Sequence, residues 1–358
     1  MSSKAKSELQ EIRDAVEIEL AIFLDNQATY LETISIDLKP ISAAFTSFLL
    51  DSGKRLRPQC AYAGFVSAGG EVTTPVIKAI ASLELLHACA LIHDDLMDGS
   101  DTRRGKPSIH RHFESIHVQE ELEGFAPAYG LAAAVLLGDL ALVWSNQLLN
   151  MAGLTPQQLH DVAPIHDEMQ VELMAGQFLD IHEQTQKTTN LNRSTKIAQY
   201  KSGKYTIERP LHIGAALSGQ QTRELFAALT NYGLPLGKAF QYRDDLLGVF
   251  GDPDVTGKPA GDDLREGKRT VLIALAESGM SDSMREKSRK YFGAYDLDAD
   301  GVAILQELIV TTGAKDKLES MINQLTNQAL DVAESDVINE KARPLLLELI
   351  SVATKRSM

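Results

Sequence analysis

The chain has 358 residues, with 35 Lys and Arg against 49 Asp and Glu, a formal charge of −14. Apolar residues make up 44% and charged residues 23%, enough to bury a large core, which excludes a disordered or collagenous chain. The acidity excludes broad nucleic-acid binding, because an acidic body repels phosphate backbones; any anionic substrate needs local cations or metal ions.

The first twenty residues, MSSKAKSELQEIRDAVEIEL, carry acids where a secretory signal needs an apolar run. The two cysteines, Cys60 and Cys89, form no CxxC pair or disulfide framework, so the expectation is a reduced, cytoplasmic protein. Further along, apolar residues at three-and-four spacing run through AFTSFLL, AIASLELLHACALIHDDL, GLAAAVLLGDLALVWSNQLL and ELFAALTNYGLPLGKAFQYRDDLLGVF. Good helix formers dominate them, and alternating β-branched runs are nearly absent. Clusters of Gly, Pro, Asp and Ser punctuate the helices. This predicts an all-α fold and one domain over 1–358, with a motif-bearing core over 40–275 and C-terminal helices over 276–358. The most apolar stretch, Leu131–Trp144, is too short to span a bilayer and holds Asp139, so no membrane insertion is expected.

The chemistry-bearing segments follow in order. The basic turn DSGKRLRP places Lys54 and Arg57 three apart, able to converge on one anion. In LELLHACALIHDDLMD, Asp94 and Asp98 share a helical face one turn (~5.4 Å) apart, with Asp95 turned about 100° away. Crowded carboxylates at a helix C-terminus oppose the dipole and repel one another unless a cation joins them. An all-oxygen donor set suits Mg²⁺, which keeps waters and recruits substrate phosphates. The loop DGSDTRRGKP follows, where the adjacent Arg103 and Arg104 diverge and serve two anions. YKSGKYTIERP offers Lys201 and Lys204. QYRDDLLGVFGD puts Gln241, Asp244, Asp245 and Gly248 on one stripe, ahead of the basic loop GDPDVTGKPAGDDLREGKR. Each segment alone reads as a solvated turn or helix end. Together they describe two groups of cations beside two carboxylate clusters, suited to two phosphorylated substrates.

In this order and spacing, GKRLRP, HDDLMDGSDTRRGKP, MAGQFLD, YKSGKY, QYRDDLLG and GDPDVTGKPAGDDLREGK resemble the trans-isoprenyl diphosphate synthases, most of all the geranylgeranyl diphosphate synthases. The motifs run from Gly53 to Arg269. The resemblance implies an all-α bundle with a central cavity, usually a homodimer, that joins isopentenyl diphosphate head to tail to dimethylallyl, geranyl or farnesyl diphosphate. It implies about three Mg²⁺ per active site. Asp94 and Asp98 would ligate two ions on the allylic diphosphate with support from Asp95; Asp244, helped by Asp245, would hold the third. Arg103, Lys201 and Lys258 would contact the allylic diphosphate, with Gln241 assisting. Lys54, Arg57, His87 and Arg104 would bind isopentenyl diphosphate without metal. Ser202 stands where the family often has Thr, and Gln177 and Lys268 match positions near the allylic site.

One departure stands out: the second motif ends in Gly248 where the family usually has Asp. Asp252 lies about 12 Å further along the helix, too far to substitute, so water is expected to fill the gap. Product length is expected to depend on Cys89 and Ala90, one turn before Asp94, with Leu86 and Leu83 as a deeper floor. In the family, small residues there let the chain grow, favouring a C20 product over a farnesyl-length one, with longer chains open.

Other readings carry less. Asp296, Asp298, Asp300, Gly301 and Glu307 match a calcium-loop pattern, but GVAILQELI reads as a helix capped by Asp300. HRHFESIH lacks zinc-site spacing and reads as a surface segment. A terpene cyclase would carry a downstream Asn/Asp–Ser–Glu metal motif, which is missing, and a head-to-head synthase two DxxxD-like motifs. A non-catalytic subunit of a heteromeric prenyltransferase would tend to lose the carboxylates that DDLMD retains.

Overall fold

Helices form almost everywhere the three-and-four spacing predicts them. The computed structural model describes residues 3–51, 53–220, 222–252, 261–294 and 296–355. The chain opens with α1 (Ser3–Ile34), α2 (Lys39–Leu50), α3 (Leu56–Ser67) and α4 (Thr74–Met97). A two-stranded antiparallel hairpin follows, β1 (Thr102–Arg103) and β2 (Lys106–Pro107), with Arg103 opposite Lys106. Next come α5 (Ile109–Gln119), α6 (Ala126–Asn150), α7 (Pro156–Gln184), α8 (Leu191–Ile197), a π-helical segment (Ala198–Glu208), α9 (Arg209–Leu217) and α10 (Arg223–Phe250). A helical turn at Asp262–Arg265 precedes helices at Val271–Gly279, Asp282–Tyr291, Ala299–Thr311, Ala314–Ala333 and Arg343–Thr354. Among the described residues the hairpin is the only sheet, so the all-α expectation holds.

The helices make two compact units, Met1–Pro164 with Pro210–Gln221, and Ile165–Arg209 with Thr222–Met358. In the first, α4 packs on α6, α1 and α3, and α5 packs on α6. Pro75 enters the first turn of α4, where a missing N–H costs nothing. Ile80, Leu83, Leu85 and Leu86 of α4 have no exposure, each contributing about 1.5–3 kcal/mol by leaving water. Trp144 of α6 meets Phe23 and Phe45 edge-on, at ring-centroid distances of 6.1 and 4.8 Å.

Two expectations for this unit change. α6 extends well past Leu131–Trp144, so that α4 and α6 are both long and apolar enough to cross a membrane by length and composition. The apolar window of α4 is 72% buried, as a core helix requires, whereas that of α6 is 28% buried. Leu131, Leu136 and Val143 of α6 are more than half exposed. His110 and His117 are buried, because amphipathic α5 turns them toward the interior; HRHFESIH is therefore not a simple surface segment.

In the second unit α10 packs on the π-helical segment and on Ala314–Ala333. Tyr242, Leu246, Val271, Leu272, Leu305 and Leu318 form its interior. The Thr222 hydroxyl caps α10 by accepting the Leu225 N–H at 3.1 Å. The calcium-loop pattern is taken up by the helix Ala299–Thr311, as expected, but its cap is Asp298. Asp298 has the extended backbone a cap needs (φ −85°, ψ 179°) and accepts the Gly301 N–H at 2.8 Å, while Asp300 lies inside the first turn.

Candidate active site

The first carboxylate cluster is shaped by how α4 stops. Gly99 takes left-handed backbone (φ 66°), and the Ser100 N–H reaches back to the Asp95 carbonyl at 2.9 Å, a Schellman ending. The Asp98 N–H meets the Asp94 carbonyl at 2.8 Å, so these two carboxylates stay one turn apart on the rim of the helix. Both are half-buried, whereas Asp95 is 1% exposed. The hairpin then turns on Arg104 (φ 54°) and Gly105 (φ 75°), the two left-handed positions of a type I′ turn. Glycine adopts that backbone freely; arginine is held there at a cost of about 1–3 kcal/mol.

Arg103 is held by the buried carboxylate of the same helix end. Arg103 Nε donates to both Asp95 oxygens, at 2.9 and 3.0 Å, and its Nη2 also bonds Oδ1. Burial works against the Arg103 charge, but Asp95, Asp94 and Asp98 outweigh it and raise its pKa. Asp95 therefore braces Arg103 beside the carboxylates of the same helix end. Arg104, like Arg103, adds its positive field at His87, and it also lies in the field of Arg55.

That basic turn is organised by a residue the motif reading passed over. Arg55 sits in left-handed backbone (φ 50°) and is 2% exposed. It donates to Glu84 of α4 at 2.9 Å and to the Leu49 carbonyl at 2.6 Å, and lies 3.4 Å from Glu17. Arg55 thus pins the turn to α4, leaving Lys54 exposed and Arg57 buried on either side of it. Burial, then the charges of Arg57, Arg104, Arg103 and Arg55, push the His87 pKa well below its ordinary value. At neutral pH His87 is an uncharged imidazole inside a strongly positive group.

The second unit holds the other cluster. On α10, Gln241, Asp244 and Gly248 keep exposed surface while Asp245 is 3% exposed, its carboxylate accepting the Gln241 amide at 2.8 Å. Burial raises the Asp245 pKa well above the carboxylate range; Gln241 opposes this, and the negative field of Asp263, Asp244 and Asp180 adds to it. Asp245 therefore backs the cluster, and Asp244 is its open carboxylate. Lys201 donates to Asp180 at 2.6 Å. Lys268 lies 2.6 Å from Glu266 and 3.8 Å from Asp263. Ser202 and Gln177 are half-buried. Lys258 lies outside the described residues.

The Gly248 backbone lies against another carboxylate. A Cβ at position 248 would collide with the Asp263 carboxylate, so an acidic group from a distant turn already occupies the space of the missing side chain. Asp263 lies in GDDLREGK, an acid within a basic loop, but spacing along the chain gives no sign of its contact with α10. Glu84 left a clearer trace, as a charge inside the apolar run LELLHA that demands a buried partner.

The donors fit magnesium. Asp94, Asp98 and Asp244 offer carboxylate oxygens on open helical rims. Among the described residues no group of three His, Cys, Asp or Glu side chains is arranged to hold an ion by itself. In each unit, an ion completed by water and phosphate oxygens suits so few carboxylates.

The comparisons with known proteins agree with this chemistry. The polyprenyl synthetase profile matches residues 39–309. A crystal structure of geranylgeranyl pyrophosphate synthase from Corynebacterium glutamicum, complexed with isoprenyl diphosphate and magnesium, is 39% identical with a TM-score of 0.94, over 98% of this chain and 99% of that one. Geranylgeranyl diphosphate synthase of Mycobacterium tuberculosis is 32% identical over 265 residues, 73% of this chain and 69% of that protein. Geranylfarnesyl diphosphate synthase of Aeropyrum pernix is 28% identical over 331 residues, 91% of this chain and 97% of that protein. The chain belongs to the polyprenyl synthetase family and is a trans-prenyl diphosphate synthase.

Proposed function

We propose that the chain condenses isopentenyl diphosphate with allylic diphosphates, head to tail, to give mainly geranylgeranyl diphosphate. The observation that carries this reading is one open stripe on α4. His87, Ala90, Asp94 and Asp98 retain exposure, while Leu83, Leu86 and Cys89 have none. A polar imidazole, a small apolar residue and two carboxylates share that face.

Roles follow from chemistry. Lys54, Arg57, Arg104 and neutral His87 bind isopentenyl diphosphate without metal. Asp94 and Asp98 on α4, and Asp244 on α10, would hold magnesium, which when bound would neutralise charge on the leaving diphosphate. Arg103, steadied by Asp95, serves the allylic diphosphate, as do Lys201, Ser202, Gln241, Lys258 and Lys268. The allylic C–O bond breaks heterolytically, the diphosphate leaves with the electron pair, and the isopentenyl double bond attacks the cation. The product loses a proton to the released diphosphate. Fixed cations that meet charge only as it forms lower the barrier and not merely the KM.

Chain length is assigned to Ala90. Cys89 faces α6 through His93: Sγ lies 3.8 Å from His93 Nδ1, whose Nε2 is 3.1 Å from the Val135 carbonyl. Ala90, on the open stripe, borders the growing chain. Ala90→Phe is expected to shift the main product from C20 toward C15, read by chromatography of dephosphorylated products. An unchanged spectrum would refute the assignment. The open apolar face of α6, with Leu131, Leu136 and Val143, is assigned to contact with a second copy in a homodimer, and not to a bilayer.

A further inference from the structure

Ala198–Glu208 forms an eleven-residue π-helix that carries Lys201 and Ser202. Such geometry usually appears as a single-turn bulge, often at functional sites, and it needs outside support to resist relaxing to an α-helix. One stripe of α7 gives that support. Glu172, Gly176 and Asp180 stand at i, i+4 and i+8 and share a face. The Glu172 carboxylate accepts from Lys204 Nζ, inside the segment, and from Arg209 Nε at 2.7 Å and Nη2 at 2.9 Å, just beyond its end. A Cβ at Gly176 would collide with the Lys201 backbone, so α7 touches the segment's main chain at that residue. Asp180 accepts from Lys201 Nζ. On α10, a Cβ at Gly237 would collide with the Gly203 backbone. Burial alone would raise the Glu172 pKa, but Arg209 and Lys204 outweigh it and hold the carboxyl below its ordinary range.

We propose that Glu172 is a positioning residue. By clamping Lys204 and Arg209 it maintains the π-helical turn that presents Lys201 to the allylic diphosphate, and so sets affinity for that substrate. The inference rests on the assignment of Lys201 to that diphosphate. Glu172 touches no substrate itself; its effect passes through backbone geometry, because relaxation to α-helical closure would re-aim Lys201.

The test uses the full-length protein with Glu172→Gln, Lys201→Met and the double variant. In Glu172→Gln the cations keep other partners: Glu208 lies 3.9 Å from Lys204, and Glu168 lies 3.0 Å from Arg209. Glu172→Gln is expected to raise the KM for the allylic diphosphate about 10-fold, with the isopentenyl diphosphate KM moved less than about twofold. Lys201→Met should raise the same KM at least as much, and the double variant should not exceed it, since Glu172 acts through Lys201. Equal movement of both KM values, or additive effects in the double variant, overturns the proposal. If Lys201→Met leaves the allylic KM unchanged, the Lys201 assignment fails and the proposal with it. If Lys201→Met acts and Glu172→Gln does not, positioning alone fails. Should Glu172→Gln not fold, Glu172→Asp must show the same selective rise, and its absence overturns the proposal.

Discussion

Asp94→Asn is expected to lower kcat by about 10³-fold while leaving the protein folded. Asparagine is nearly isosteric and keeps an oxygen, but it removes the charge that binds magnesium. Asp94 sits in the last turn of α4, where a carboxylate opposes the helix dipole, one turn from Asp98. Neutralising it should therefore leave stability unchanged or raise it by about 0.3–1 kcal/mol. Loss of turnover with an equal or higher melting temperature is the expected pair of results. A fall in kcat of less than about tenfold would show that the charge at Asp94 is not used in the transition state.

Glu84→Ala should have the largest effect on stability, about 3–5 kcal/mol, measured by denaturant unfolding. Glu84 and Arg55 are each 2% exposed and joined at 2.9 Å. Removing the carboxylate strands a buried guanidinium, whose remaining acidic neighbour, Glu17, is 3.4 Å away and partly exposed. The same pair anchors the left-handed residue between Lys54 and Arg57, so the remaining folded protein should also bind isopentenyl diphosphate more weakly. Replacing both partners by Glu84→Leu and Arg55→Met should recover most of the stability, because no charge is left buried. A loss below about 1 kcal/mol in the single variant would mean that the pair does not hold the turn.

The parts of the site legible in the sequence are those written in local spacing. Asp94 and Asp98 fall on one stripe because a helix repeats every 3.6 residues, and the structure keeps them together. Gln241 and Asp244 follow the same rule. Features set by contacts between distant parts of the chain were not legible. GKRLRP holds three cations, and spacing cannot say that Arg55 turns inward to Glu84. Left-handed backbone at Arg55 and Arg104 is imposed by the surrounding fold on residues that disfavour it. The Asp263 carboxylate fills the space beside Gly248 through a contact between distant turns, which no helical repeat encodes. The π-helical segment is hidden for a similar reason: YKSGKYTIE reads as a helix, and the wider closure depends on Glu172 and Gly176 of another helix. The apolar run of α6 reads short because Ser145, Asn146 and Gln147 close it in composition while the helix continues to Asn150.

The most direct test of the account is a single incubation series: purified protein, Mg²⁺ and labelled isopentenyl diphosphate with dimethylallyl, geranyl or farnesyl diphosphate in turn, followed by measurement of product length. The account predicts label in a C20 product with each starter and none when magnesium is chelated. Absence of incorporation with every starter, or incorporation that persists without divalent metal, would contradict it.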